Sequence, residues 1–324
     1  MILTFIDHDR GTLNKTTLEA VTFARRLAEK LGAPLHAVGV GQAAAGLAGA
    51  LGAYGVTALH VAQSEPLNDF APAAWGQSVA ALIESLQPAA VVAPGTERGS
   101  EVLAHAAARL DLALAANCTA VEPGDTYAVT RVRWGGSLLE QARLSGAVKL
   151  LTVAPQAVAP EPSAAGAAPE VRAFAPALSA ADLRVRVTGR VETGAGKVSL
   201  AEARVVIGGG RGVGSAEGFK PLEELAGLLG GAVGCSRAVT SLGWRPHAEQ
   251  IGQTGNRITA EIYVACGVSG AIQHWVGCKG AKVVLAVNTD PEAPIVTQAH
   301  YAVIGDLHKI LPAINAELRR ARGG

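Results

Sequence analysis

The chain has 324 residues, of which 49 % are hydrophobic, 17 % are charged and 4 % are aromatic. This length favours two domains, and the composition indicates an ordered globular protein whose core is built mainly from Ala, Val and Leu. The formal net charge is +1, and no stripe of Lys or Arg is present. The charge pattern therefore argues against nucleic-acid and membrane-surface partners.

Neither the chain start nor the cysteines indicate secretion. The first residues, MILTFIDHD, read as a strand and lack a basic leader. The apolar stretch 43–56 is rich in Ala and Gly and is short for a membrane-spanning helix. No CxxC pair occurs, so we expect buried thiols and a soluble, cytoplasmic protein in a reducing compartment. The four cysteines are Cys118, Cys235, Cys266 and Cys278.

The first half alternates predicted strands and helices. The runs ILTFID, LHAVGV, ALHVAQ and AAVVAPG are continuously apolar, as is typical of parallel strands buried on both faces. From Cys118 onward, CTAVEP, TYAVTRVRW, LLEQARL and KLLTVAP predict additional, antiparallel strands. Residues 1–190 are therefore predicted to form an N-terminal parallel-sheet α/β domain with a β extension.

An Ala- and Pro-rich segment, 154–180, follows these strands. Its prolines exclude a regular helix or a central strand, so it is predicted to be a linker or a loop wrapped on the first domain. The run 182–190, DLRVRVTGR, is predicted to return as a strand. Residues 191–202 are predicted to link the two domains.

The α/β alternation restarts in 203–324, which is predicted to be a doubly wound C-terminal domain. Each strand-like run there is followed by glycine or hydrogen-bonding residues. In an open parallel sheet these positions meet at one edge, where ligands bind at the point of strand-order reversal. The sequence therefore predicts a ligand site built from 208–212 (GGGRG), 234–237 (GCSR), 267–270 (GVSG), Asn288 and Asp306.

The motifs narrow the chemistry of this site. The glycine spacing is neither the dinucleotide fingerprint nor a P-loop. The helix that SGAIQH opens favours a large anionic ligand, which Gln273 and His274 are predicted to face. No nucleophile–base pair or metal-ligand spacing is present. Two simpler interpretations stay open, with Arg237 as a surface charge and Asp306 as a helix N-cap.

These residues resemble a known family, the alpha subunit of electron transfer flavoprotein. The run 262–288, IYVACGVSGAIQHWVGCKGAKVVLAVN, follows that family's long signature. GGRG, GCSRA, IGQTG, NTDPEAPI and DL stand in the same order and at approximately the same spacing. The match is strong over 203–324, whereas the first half agrees only in length and in α/β order.

The resemblance implies FAD bound mainly by the C-terminal domain. It places Thr254 near the flavin N5 and His274 near O2. The implied diphosphate neighbours are Arg211 and the helix start Ser269, Gly270, Ala271, Ile272, Gln273 and His274. The residues implied to surround the isoalloxazine are Ser236, Arg237, Ile251, Gly252, Gln253 and Thr254. The residues implied to hold the adenosine end are Asn288, Asp306 and Leu307.

The resemblance also implies a function. The family forms heterodimers with a smaller beta subunit, which in most members binds AMP. It carries electrons from acyl-CoA and related dehydrogenases to a membrane quinone oxidoreductase, in fatty acid beta-oxidation, without substrate chemistry of its own. Some relatives bifurcate electrons from NADH instead. A further alternative is a nucleotide-binding α/β module that holds an adenine nucleotide at the glycine-containing segment 94–100, PGTERGS.

Overall fold

The computed structural model describes residues 1–134, 138–163, 166–189, 200 and 203–322. The chain divides into two compact units, Met1–Arg190 and Val191–Gly324. The predicted linker 191–202 lies outside the described residues except for Leu200, so its role as a linker stays a prediction.

The first unit contains a nine-stranded sheet with the order β11-β5-β4-β1-β6-β10-β7-β8-β9 and a small β2–β3 hairpin. Its strands are β1 (Ile2–Phe5), β2 (His8–Asp9), β3 (Thr12–Leu13), β4 (Leu35–Val40), β5 (Ala58–Ala62), β6 (Ala90–Pro94), β7 (Leu114–Glu122), β8 (Tyr127–Arg133), β9 (Leu138–Leu144), β10 (Lys149–Val153) and β11 (Glu170–Phe174). Its α-helices are α1 (Lys15–Lys30), α2 (Ala48–Gly52), α3 (Pro72–Leu86) and α4 (Glu97–Leu110).

Helices cover both faces of this sheet. Along β1, Ile2 packs in a core with α1, whereas Leu3 packs in the opposite core with α3 and α4. This alternation follows from the two-residue period of a strand. The predicted parallel α/β domain with a β extension is confirmed, since β7, β8 and β9 pair antiparallel beyond the parallel strands.

Two predictions for this unit are wrong in detail. The run KLLTVAP forms β10, which is parallel to β6 and β7 rather than antiparallel. It lies between these two strands and is almost wholly buried, as parallel strands usually are. The returning strand is β11, and the described residues 182–189 form no strand, while residue 190 lies outside the described residues. Asp182 accepts hydrogen bonds from the N–H and Oγ of Ser179, which closes a turn there.

The Ala- and Pro-rich segment wraps on the first unit. Backbone N–H groups of Gln156 and Ser163 donate to Glu19 and to the carbonyl of Ala53, respectively. Strand β11 lies inside this segment at the sheet edge, where Pro169 before it removes no ladder hydrogen bond. The loop interpretation of 154–180 therefore holds, with one edge strand added.

The second unit has a five-stranded, all-parallel sheet with the order β13-β12-β14-β15-β16. Strand order reverses between β12 and β14, which is the doubly wound pattern that was predicted. The strands are β12 (Val205–Gly209), β13 (Ala232–Cys235), β14 (Ile262–Cys266), β15 (Val283–Asn288) and β16 (Tyr301–Ile304). The helices are α5 (Lys220–Leu229), α6 (Arg237–Ser241), α7 (Ile272–Cys278), α8 (Pro294–Gln298) and α9 (Leu307–Arg322).

Two cores sandwich the second sheet. Tyr263 of β14 packs with residues of α7 and α8, and its neighbour Val264 packs with residues of α5, α6 and α9. All four cysteines are buried and unpaired, and burial raises the pKa of each thiol to about 12. In the described part of the chain, no helix combines the length and apolar character needed to cross a membrane.

Candidate functional site

The carboxyl ends of all five strands in the second unit are hydrogen-bonded to one another. Each bond joins the residue just beyond one strand to its neighbour, so the predicted loops share one sheet edge. The bonds run from Ser236 N to Gly209 O, from Gly210 N to Cys266 O, from Gly267 N to Val287 O and from Gly305 N to Asn288 O, each at 2.9 Å.

At the reversal point, two glycine loops are in backbone contact. A Cβ on Gly210 would overlap Gly267 and Val268, and the N–H of Gly212 donates to the carbonyl of Gly267 at 3.0 Å. Arg211 lies between these two glycines and is exposed. No ion pair joins its guanidinium to a described residue, so its charge is available to an anion at this position.

The loop 251–254 is held between the end of β13 and the start of α7. The N–H of Ile251 donates to the carbonyl of Cys235 at 2.8 Å, and the N–H of Gln253 donates to the carbonyl of Gln273 at 2.7 Å. Three groups of residues that are distant in sequence therefore meet here: the Ser236–Arg237 corner, the 251–254 loop and the helix start at 269–274.

A cavity of about 400 Å³ opens between α6 and the loop that ends at Thr254, a volume within the range of small-ligand pockets, roughly 300–1,000 Å³. Arg237 on its wall is exposed, and it forms no ion pair within the described ranges. The lining residues are Arg237, Thr240, Ser241, His247, Gln250 and Thr254.

His274 is buried, whereas the adjacent Gln273 is exposed. The Nε2 of His274 lies 2.7 Å from the hydroxyl of Tyr263, and its buried Nδ1 makes no hydrogen bond of standard geometry. Burial lowers the pKa of His274 to about 4, although the carbonyl of Ile251 favours the protonated ring. The imidazole is therefore neutral at neutral pH, and it supplies hydrogen bonding rather than charge.

The far end of the edge carries Asn288, Asp306 and Leu307. The Nδ2 of Asn288 donates to the carbonyl of Val268 at 2.8 Å. The carboxylate of Asp306 accepts the N–H of His308 at 2.9 Å, so the N-cap interpretation describes its contacts. Leu307 is buried in the core, which leaves only its backbone for a ligand.

The geometry selects a long ligand. Arg237 follows strand β13 and Asn288 ends strand β15, and these two strands lie three strand spacings apart, or about 14 Å. A ligand that reaches both Arg237 and Asn288 has to span this distance, as a dinucleotide does. Within the described residues, no group of His, Cys, Asp or Glu side chains is arranged to hold a metal ion.

Comparison with known proteins decides the family. The sequence model of the electron transfer flavoprotein domain matches residues 2–179, and that of the electron transfer flavoprotein FAD-binding domain matches 199–279. The chain is 37 % and 38 % identical to electron transfer flavoprotein subunit alpha of Mycobacterium leprae and Mycobacterium tuberculosis (strain H37Rv), over 99 % of both chains in each case. It is 35 % identical to Protein FixB of Clostridium saccharobutylicum, over 97 % of this chain and 95 % of that protein.

The chain belongs to the electron transfer flavoprotein alpha-subunit family. The predicted cofactor, FAD, is confirmed, as is the role of an electron carrier without an enzymatic reaction of its own. FAD, when bound, supplies the redox chemistry. The second unit of this alpha subunit fits such a cofactor because it offers unpaired arginines, close-packed glycine loops and a cavity along one sheet edge.

The alternative nucleotide site in the first unit of the alpha subunit has several of its donors engaged by contacts within the protein. In the segment 94–100, the N–H of Gly95 donates to Val153, and the N–H groups of Gly99 and Ser100 donate to Thr96. Arg98 lies 3.5 Å from Asp9 and covers the ring of Phe70. The amides of Gly95, Gly99 and Ser100 and the guanidinium of Arg98 are therefore engaged within the first unit.

Five residues that line the cavity or contact His274 were not predicted from the sequence: Thr240, Ser241, His247, Gln250 and Tyr263. Thr240 is three residues after Arg237 on α6, and this spacing places both on one helix face. Gln250 precedes the IGQTG motif directly. No pattern in the sequence signals Tyr263, because it reads as an ordinary apolar position of a strand.

Proposed function

We propose that this chain is the FAD-carrying subunit of a heterodimer with a smaller beta subunit that binds AMP. Alpha subunits of this family pair with a beta subunit. The complex accepts electrons from acyl-CoA dehydrogenases and related dehydrogenases, and it passes them to a membrane quinone oxidoreductase. The proposed setting is cytoplasmic fatty acid beta-oxidation.

We assign the FAD contacts along the sheet edge of 203–322. Arg211 and 269–273 would hold the diphosphate, and Asn288, Asp306 and Leu307 the adenosine end. Ser236, Arg237, the 251–254 loop and His274 would surround the isoalloxazine. This order agrees with the order of the strands, since the ring cavity lies at β13 and the adenosine end at β15 and β16.

The observation that carries the proposal is the unpaired Arg237 on the wall of the same cavity as Thr254. An unpaired guanidinium stabilises negative charge on the group it faces, more strongly as water is excluded. Thr254 adds a hydroxyl, and the buried neutral His274 adds no competing charge. An electron carrier needs these functions and no acid–base pair, because the chemistry belongs to the cofactor.

A second candidate is an NADH-linked, electron-bifurcating complex. It is favoured by the similarity to Protein FixB, which covers nearly the whole of both chains. The two candidates share the alpha-subunit site and differ in the electron donor. The motifs of this chain are compatible with either.

Co-expression with a candidate beta subunit tests the proposal. We expect a one-to-one complex that contains FAD and AMP and whose visible absorption bleaches with acyl-CoA plus an acyl-CoA dehydrogenase. Bleaching by NADH alone would favour the bifurcating candidate. A stable alpha-subunit monomer in the presence of the beta subunit, or a complex without flavin, would contradict both.

A further inference from the structure

Inside the cavity, the side chain of Gln250 joins two threonine hydroxyls. The hydroxyl of Thr240 shares its hydrogen between Gln250 Oε1 at 2.8 Å and the carbonyl of Arg237 at 3.0 Å, and Gln250 Nε2 donates to Thr254 Oγ1 at 2.9 Å. Gln250 is only 2 % exposed, whereas Thr254 is exposed on the cavity wall. A buried amide therefore contacts an accessible hydroxyl.

The backbone of Gln250 is fixed on both sides. Its N–H donates to the carbonyl of His247 at 2.9 Å, and its own carbonyl accepts the N–H of Asn256 at 2.7 Å. It also forms a parallel bridge with Cys235 at the end of β13. Because the main chain cannot shift freely, the amide approaches Thr254 from one direction.

This contact decides where the hydrogen of Thr254 points. The Thr254 oxygen accepts from the amide, so its O–H bond is directed away from Gln250. Among the described residues, no other hydrogen bond to this side chain occurs, and the open side is the cavity. A hydroxyl held in this way is a preorganised donor, which needs no reorientation when an acceptor atom arrives.

We propose that Gln250 is a positioning residue, which turns the hydroxyl of Thr254 into a hydrogen-bond donor to the flavin ring. The inference rests on the proposed FAD site. A donor favours the forms of the ring in which the acceptor atom carries more negative charge. Loss of the Gln250 contact frees the hydroxyl to rotate, so the midpoint potential of bound FAD should fall.

A double-mutant cycle on the FAD-loaded complex tests this proposal. The variants are Gln250→Leu, Thr254→Val and the double variant, each titrated against a redox dye. We expect Gln250→Leu to lower the equilibrium constant for one-electron reduction about threefold, which is about 28 mV. In the Thr254→Val background the same substitution should change it by less than about 1.5-fold, because Gln250 acts through the hydroxyl.

Controls keep the cycle interpretable. Gln250→Asn, which retains an amide but is one methylene shorter, replaces Gln250→Leu if that variant does not fold. Gln298→Leu makes the same chemical change on the exposed surface of α8 and should leave the potential unchanged. If wild type binds FAD, the role of Gln250 is overturned by either of two results: Gln250→Leu shifts the potential equally with and without Thr254→Val, or it does not shift the potential at all. Wild type without FAD would instead overturn the proposed function.

Discussion

The main sheets of both units reverse their strand order, and polar residues follow the strands at both reversal points. The two points differ in how far these polar groups are engaged by other residues of the protein. In the first unit, Asp7 and His8 follow β1, and Thr96 and Arg98 follow β6. Asp7 is 2 % exposed, and burial raises its pKa although Thr96 and Arg98 oppose the shift. His8 bonds the carbonyl of Val40 at 3.0 Å.

The reversal point of the second unit differs because some of its polar groups are not satisfied by the described residues. Arg211 and Arg237 form no ion pair within the described ranges, and Nδ1 of His274 makes no hydrogen bond of standard geometry. Helix α4 is capped by Thr96, whereas no side chain caps α7. The strand order therefore creates a possible ligand site in each unit. The hydrogen bonds and ion pairs of the polar side chains distinguish the two sites.

The largest effect is expected from a side chain added at Gly270, in the loop after β14 at the strand-order reversal of the second unit. Gly270 has φ +82°, and a Cβ there would overlap the backbone of Ile295. We expect Gly270→Ala to destabilise the second unit by about 2–4 kcal/mol and to abolish FAD retention, measured as flavin per purified complex. Gly227→Ala on α5, where nothing lies within 4 Å, is the matched control. Full FAD content in Gly270→Ala would contradict this role of the glycine.

The next effect is a pH dependence of stability. Burial holds the pKa of His274 at about 4, below its ordinary value of 6.5. On acidification from about 6.5 to about 4, the unfolded chain binds a proton that the folded chain does not, so stability should fall by up to about 3 kcal/mol.

His60 has the same direction of pKa shift in the first unit, so the test needs a variant. The denaturant midpoint of His274→Gln, measured against pH, should lose the His274 contribution and keep that of His60. Parallel curves for wild type and His274→Gln would show that His274 does not titrate as expected.

A smaller effect separates the two unpaired arginines. A unit charge about 4 Å from the ring is worth up to about 4 kcal/mol at an effective dielectric of 20, and solvent reduces this. We expect Arg237→Ala to lower the FAD midpoint potential by tens of millivolts while FAD stays bound, and Arg237→Lys to recover part of the shift. Arg211→Ala should instead weaken FAD retention. An unchanged potential in Arg237→Ala would make Arg237 a plain surface charge.

The smallest effect is expected at the reversal point of the first unit. Arg98 and Asp9 are 3.5 Å apart, with side chains 33 % and 48 % exposed, and such pairs contribute about 1 kcal/mol or less. Arg98→Ala should therefore lower the melting temperature slightly and leave FAD content and potential unchanged. A changed flavin potential would mean that the first unit contributes to the cofactor site.

Much of the molecule was predictable from local sequence. Apolar runs identified the buried strands, because strands covered on both faces need continuous apolar residues. Glycine and polar residues after each run located the ligand edge, since parallel strands bring their carboxyl ends together. The motifs from GGRG to VSGAIQH carried the family resemblance and, with it, FAD. The assignment of individual residues to parts of FAD remains a prediction.

Other features depend on contacts between distant residues, which a single sequence does not encode visibly. The direction of β10 was missed because it is decided by insertion between β6 and β7. The segment 94–100 has glycines like an anion loop, but the amides of Gly95, Gly99 and Ser100 donate to Val153 and Thr96. The alignment of Thr240, Gln250 and Thr254 arises only where the loop after α6 returns to pair with Cys235.

The sequence by itself determined the two α/β halves, the cofactor and the sheet edge at which glycine and polar residues gather. Only the tertiary structure decided which polar groups remain without a partner. The partners of a side chain depend on the order of the strands and on where each loop packs, and not on its neighbours in the sequence. Arg98 and Arg237 both lie in the first turn of the helix that follows a strand. Arg98 is paired with Asp9, whereas Arg237 lines a cavity.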